Sequence, residues 1–162
     1  MRQAFSLLEI FIAIALAGVM AYTTSFFLDT TTISKQNIKT QIQSHLNIIT
    51  SVILQCKEYS NAFPVQSDGS LASSTLLSTL ECNTTTPYAL DGGKGSFIPP
   101  ALDNFTDYTA TQNGSEFYFS TTTPTNSINY DVLLELDTAY SPNQYDLNTT
   151  TATTILNFYL SR

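Results

Sequence analysis

The sequence predicts an α+β fold in which one long N-terminal α-helix packs on a small antiparallel sheet of about four strands. Three observations carry this. An uncharged, mostly apolar run of 19 residues, Ile10 to Leu28, is followed by apolar residues at helical spacing. Two stretches dense in turn residues, "FPVQSDGS" and "DGGKGSFIPP", then interrupt the chain. Beyond them the apolar residues alternate as they do in half-buried strands.

The helix comes first. Ile38, Ile42, Leu46, Ile49, Ile53 and Cys56 form one apolar stripe, while Lys35, Lys39, Gln43, Asn47 and Ser51 mark a polar face. A single helix from about Ser6 to about Glu58 would be roughly 80 Å long. Residues 5–28 are its apolar, membrane-spanning part and 29–58 its amphipathic part. Gly18 and Thr23-Thr24-Ser25 are weak helix formers and mark where it would bend.

Residues 59–104 read as a connection. Within it, "SSTLLSTLEC" predicts a short helix with Leu76, Leu77 and Leu80 toward the core. Residues 105–162 read as an antiparallel sheet. Phe105 to Thr111 and Glu116 to Thr122 form a hairpin on the Asn113-Gly114 turn. Ile128, Tyr130, Val132, Leu134 and Leu136 alternate with polar residues, so 128–137 reads as a strand, with Leu133 breaking its polar side. Thr154, Leu156, Phe158 and Leu160 give the last strand. The Thr runs at 30–32, 84–86, 121–123 and 149–151 read as solvated loops and strand ends.

Composition excludes one class of function. The net charge is −7, from 13 acidic against 6 basic residues, so no basic patch for nucleic acid is expected. The two cysteines, Cys56 and Cys82, follow an export-type segment and read as one disulfide.

Little in the chain points to catalysis or to a cofactor. His45 is the single histidine and lies beside the helical stripe, where packing or surface roles fit it better than that of a base. "DGGKGS" lacks the spacing of a phosphate-binding loop and reads as a turn. Asp131, Glu135 and Asp137 fall on one face of the expected strand and read as solvated carboxylates. Asp137, Asn143 and Asp146 offer oxygen ligands in a spacing that matches no calcium motif, so no metal site is assigned. Asn83 in "ECNTT" and Asn148 in "DLNTT" are N-x-[ST] acceptors with an acidic residue two positions earlier, matches that a chain rich in Asn and Thr also produces by chance.

The N-terminal segment admits three readings from its residues alone. It is long enough to span a bilayer. Arg2 with the small-x-small pattern Ala15-Leu16-Ala17 fits a cleaved secretory signal. A plain anchor is the third. None of these accounts for Glu9, a carboxylate at the head of the apolar run, where a charge costs several kcal/mol.

The stretch "RQA-FSLLEIFIAIALAGVMA" does account for it, because it resembles the N-terminus of type IV pilins and of the pseudopilins of type II secretion. In that family a short basic leader ends in a small residue. Phe follows, then a hydroxyl residue, two aliphatics, Glu five residues into the mature chain, and a long apolar helix. The resemblance covers about 25 residues. It implies a leader of residues 1–4, cleavage between Ala4 and Phe5 by a prepilin peptidase, and N-methylation of Phe5. It implies that Glu9 meets the terminal amine of a neighbouring subunit during assembly, which offsets the cost of burying the carboxylate.

The resemblance further implies a structural subunit with no enzymatic activity and no cofactor. Such a subunit sits once through a bacterial inner membrane, N-terminus cytoplasmic and head periplasmic, before joining a pilus or pseudopilus. Its partners would be the peptidase, other pilin or pseudopilin subunits through the N-terminal helix, the inner-membrane assembly platform and the lipid bilayer. The machine implied is a type IV pilus, a DNA-uptake filament or a type II secretion pseudopilus. The order helix, connection, antiparallel strands is similar to the pilin head as an analogy of fold.

The chain departs from the family at several points. Ala4 stands where Gly is usual, and Phe26 stands where major pilins usually carry Pro, which is more typical of minor subunits. The cysteines do not bracket a C-terminal loop, as they do in many pilins. The alternative function is a bitopic membrane-anchored extracytoplasmic binding protein that does not polymerise.

Overall fold

The structure is a computed structural model that describes residues 30–84, 87–91 and 97–161, with side chains from residue 34 onward. The expected leader, the apolar part 5–28 of the helix with Phe5 and Glu9, and residues 92–96 of the Gly-rich turn lie outside the described residues. The chain divides into two compact units, Met1–Gln36 and Asn37–Arg162, and the core and sheets belong to the second.

Helix α1, Thr30–Ser60, forms where the stripe predicts it. Ile42, Leu46, Ile49, Ile53 and Cys56 are buried, and Ile38 packs partly against the same core. One apolar stripe of this kind makes a helix stable by packing rather than by propensity. Its end is defined locally. Lys57 lies in the last turn, where the exposed carbonyls favour a cation. The Ser60 hydroxyl donates to the Cys56 carbonyl (2.8 Å), and Asn61 takes a left-handed conformation (φ 56°) just past the helix. The chain then turns inward. Phe63 stacks on Phe117 at 4.5 Å, and the Lys57 ammonium lies 4.1 Å from the Phe63 ring centre.

Among the described residues seven strands follow: β1 (Thr75–Leu76), β2 (Glu81–Cys82), β3 (Tyr88–Ala89), β4 (Thr109–Asn113), β5 (Glu116–Pro124), β6 (Tyr145–Thr149) and β7 (Thr153–Ser161). A second helix, α2 (Ile128–Asp137), lies between β5 and β6. The fold is thus α+β with an antiparallel five-stranded sheet in the order β1-β4-β5-β7-β6, beside a two-stranded ribbon of β2 and β3. This is one strand more than expected in the main sheet, and the ribbon is additional.

The central strands alternate as predicted. Phe117, Phe119, Thr121 and Thr123 of β5 and Thr154, Leu156 and Phe158 of β7 point into the core shared with α1. The hairpin β4–β5 forms, but Asn113 pairs with Glu116, so Gly114-Ser115 is the two-residue loop. Gly114 has φ +61° and Ser115 does not share its sign, the pattern of a type II′ turn with Gly first.

Three expectations are corrected. Residues 128–137 are helical, not a strand. The run supports both periods: counting by twos selects Leu134, which is 43% exposed, whereas the helical set Asn129, Val132, Leu133 and Leu136 is buried. Leu and Glu also favour a helix over a strand. Asp131, Glu135 and Asp137 therefore do not share a strand face. The expected short helix at 76–80 is a single 3₁₀ turn, Leu77–Thr79; Leu77 and Leu80 are buried, but Leu76 belongs to β1 and is exposed. Finally, Thr121 and Thr123 are not solvated. They are buried, and the Thr121 hydroxyl donates to the Thr106 carbonyl at 2.6 Å.

Candidate functional site

The most constrained chemical feature of the described residues is the Cys56–Cys82 disulfide, joined 26 residues apart with Cα atoms 5.5 Å from each other. Cys56 is the last buried position of the α1 stripe. Cys82 is held by β2, which is itself fixed on both sides. Val65 and Glu81 exchange backbone hydrogen bonds (3.0 and 2.7 Å), and the Leu90 N–H donates to the Leu80 carbonyl (2.9 Å). Both cysteines are buried, and no cysteine is free. The bond ties the connecting segment to the end of the helix, as its sequence position predicts.

His45 sits on the flank of α1, where the sequence places it. Its Nδ1 lies 3.0 Å from the hydroxyl of Tyr108, a buried residue just before β4. Tyr108 joins three elements: its backbone carbonyl accepts from Leu77 N–H (2.9 Å), and its ring meets Phe119 edge-on at 6.2 Å. Burial lowers the His45 pKa and raises that of the Tyr108 phenol well above its usual range, so both rings are neutral near pH 7.

The sign of the pH effect follows. The unfolded chain, with its ordinary imidazole, takes up the proton before folded His45 does. This contribution is complete above about pH 6.5 and is lost as the pH falls toward the lower folded pKa. The thermal unfolding midpoint of the wild type should therefore drop more between about pH 7 and pH 5 than that of His45→Gln, compared by scanning calorimetry.

The remaining polar candidates are dispersed. Lys39 meets Glu135 at 3.4 Å across α1 and α2, a partly exposed pair of small energetic weight. Asp137 ends α2, Asn143 is exposed in a turn, and Asp146 on β6 accepts from Asn157 Nδ2 at 3.4 Å. Among the described residues no group of three or more His, Cys, Asp or Glu is placed to hold a metal. Asn83 is exposed after β2, and Asn148 is exposed on β6.

One feature was not legible in the sequence. A groove of ≈ 340 Å³ opens between α1, residues 101–105 and the start of α2, lined by Ile38, Leu102, Phe105, Ile128 and Asn129 among others. Asn129 is buried there and donates to the Asp103 carbonyl at 3.0 Å. No sequence motif marks this groove, because it is assembled from segments far apart in the chain.

Ala4, Phe5 and Glu9 lie outside the described residues, and among the described residues no helix is long and apolar enough to cross a membrane. In comparisons with known proteins, no family model, no curated protein and no solved structure matches the chain.

Proposed function

We propose that this chain is a structural subunit, of the minor kind, in a type IV pilus-like filament or type II secretion pseudopilus. It would be assembled from the bacterial inner membrane after prepilin peptidase cleavage. The observation that carries the reading is Glu9, five residues past the Ala4–Phe5 junction at the head of an uncharged 19-residue run. A carboxylate in that place is costly in lipid and tolerable once an amine partners it.

Two features of the described residues support the reading. Helix α1 is amphipathic after the apolar run and buries one stripe in the head, which suits a spine that is half embedded and half packed. The Cys56–Cys82 bond suits a head outside the reducing cytoplasm. The wealth of buried core residues, set against the dispersed polar groups, suits a structural role.

The experiment is mass spectrometry of the mature protein. The expected N-terminus is a methylated Phe5 with Met1 to Ala4 removed. An Ala4→Gly variant should be cleaved at least as fast, and a bulky residue such as Ala4→Phe should block cleavage. An intact Met1, or cleavage near Ala17, would instead favour an anchored binding protein that does not polymerise.

A further inference from the structure

β6 closes the sheet on one side, and its register shows which backbone groups are left over. Tyr159 N–H donates to Gln144 C=O, and Thr150 N–H donates to Thr153 C=O, both at 2.8 Å. In an antiparallel ladder, hydrogen-bonded and non-hydrogen-bonded pairs alternate. Asp146 and Asn148 therefore exchange bonds with Asn157 and Ile155 of β7, whereas Tyr145, Leu147 and Thr149 turn their backbone groups away from it.

The Tyr145 N–H is already taken, by the Ser141 carbonyl at 3.0 Å. The outward N–H groups of Leu147 and Thr149 and the outward C=O groups of Tyr145 and Leu147 have no partner among the described residues. Neither Pro nor Lys nor a bulge guards this edge, which are the usual devices against strand pairing.

This edge is complementary to itself. Two β6 strands laid antiparallel and centred on Leu147 match each free donor with a free acceptor. The Leu147 N–H of each copy meets the Leu147 C=O of the other, and the Thr149 N–H of each meets the Tyr145 C=O of the other. Because the Tyr145 N–H is occupied, the Thr149 C=O that it would meet in this register is left to solvent. The register also separates charge. Asp146 of each copy faces Asn148 of the other, so no carboxylate opposes a carboxylate despite a chain charge of −7.

We propose that the outer edge of β6 is an interface between two copies of this chain, joined by antiparallel strand pairing into one continuous sheet. Such a contact is two-fold and closes on itself, whereas copies that follow one another along one filament are related by a screw. The contact is therefore separate from filament assembly. It joins chains that do not neighbour each other along the same filament.

The test uses the full-length chain in detergent. The wild type should show a concentration-dependent dimer by analytical ultracentrifugation. Leu147→Pro removes the outward N–H, is tolerated at an edge, and gives up part of the packing of the Leu147 side chain against the core. It should raise the midpoint concentration for dimer formation roughly thirtyfold, through the two lost hydrogen bonds, in a chain that still unfolds cooperatively with a modestly lower thermal midpoint. Because both native cysteines are bonded to each other, an introduced cysteine is the single free thiol. A mixture of Asp146→Cys and Asn148→Cys chains should crosslink on mild oxidation, and neither variant alone should do so to the same extent. A wild type that is monomeric at all concentrations, a dimer unaffected by Leu147→Pro, or equal crosslinking of each variant alone would overturn the proposal. None of these results depends on where the N-terminus is cleaved.

Discussion

Glu9→Ala protein is expected to be inserted and cleaved normally but to be largely absent from filaments. Removing a charge from the edge of an apolar run makes membrane insertion easier, if it changes it at all. A Glu9 that simply reached to the lipid headgroups would therefore be nearly silent when replaced. An assembly partner would not. The amine of Phe5 on a neighbouring subunit would be left in the filament core without its counter-charge. Breaking a buried ion pair by removing one member costs about 3–5 kcal/mol, which corresponds to a loss of incorporation of roughly a hundredfold or more. Glu9→Gln keeps the shape, loses the charge, and should be intermediate at best. The measurement is the amount of variant recovered in sheared filaments or crosslinked pseudopili beside wild type. Normal incorporation of the Ala variant would remove the reason given for that carboxylate, and with it the main support for the filament reading.

The second large effect is expected at the disulfide. Cys82→Ser opens a covalent loop that joins α1 to β2 across 26 residues. In the chain-entropy account, a closed loop of that length stabilises the fold by about 3 kcal/mol, so the variant should lose roughly 2–4 kcal/mol. The loss should be seen in denaturant unfolding of the head, with membrane insertion unchanged. The site makes a smaller effect hard to accommodate: both cysteines are buried, so the variant also leaves a hydroxyl beside an unbonded thiol in an apolar core. Recovery of both thiols free from exported protein would overturn the assignment of this bond as a structural one.

The parts of the fold that were legible are those where one periodicity ran unopposed. The α1 stripe from Ile38 to Cys56 repeats long enough that no strand pattern competes with it. β5 and β7 alternate cleanly, and Gly114 announces a turn that only a residue without Cβ enters readily. The segment 128–137 failed because its apolar residues satisfy both periods. The tie-breaker was Leu133, which is out of place in a strand and buried in the helix.

β6 was missed for a different reason. "YDLNT" has little apolar content because an edge strand buries only part of one face, and its strand character comes from pairing with β7 rather than from its own composition. The buried threonines of β5, Thr121 and Thr123, were misjudged by composition. Their β-branched shape suits a strand, and their hydroxyls find partners that only the folded chain supplies. Of the candidate site, the cysteine pair was legible because two cysteines allow one pairing. The partnership of His45 with Tyr108 was not, since 63 residues separate them and neither carries a motif.

The same disulfide has a mechanical meaning. A chain pulled from its two ends transmits force along α1 as far as Cys56 and then directly through sulfur to Cys82. Everything from Phe63 to Leu80 lies off that load path. When the head yields under tension, the 26-residue step between the cysteines cannot be drawn out, so roughly 90 Å of contour stays locked in the oxidised chain. A reduced chain would release that length as slack. An oxidised chain under load therefore has less length to give, and the redox state of one bond decides how far it can be stretched before its covalent backbone is taut.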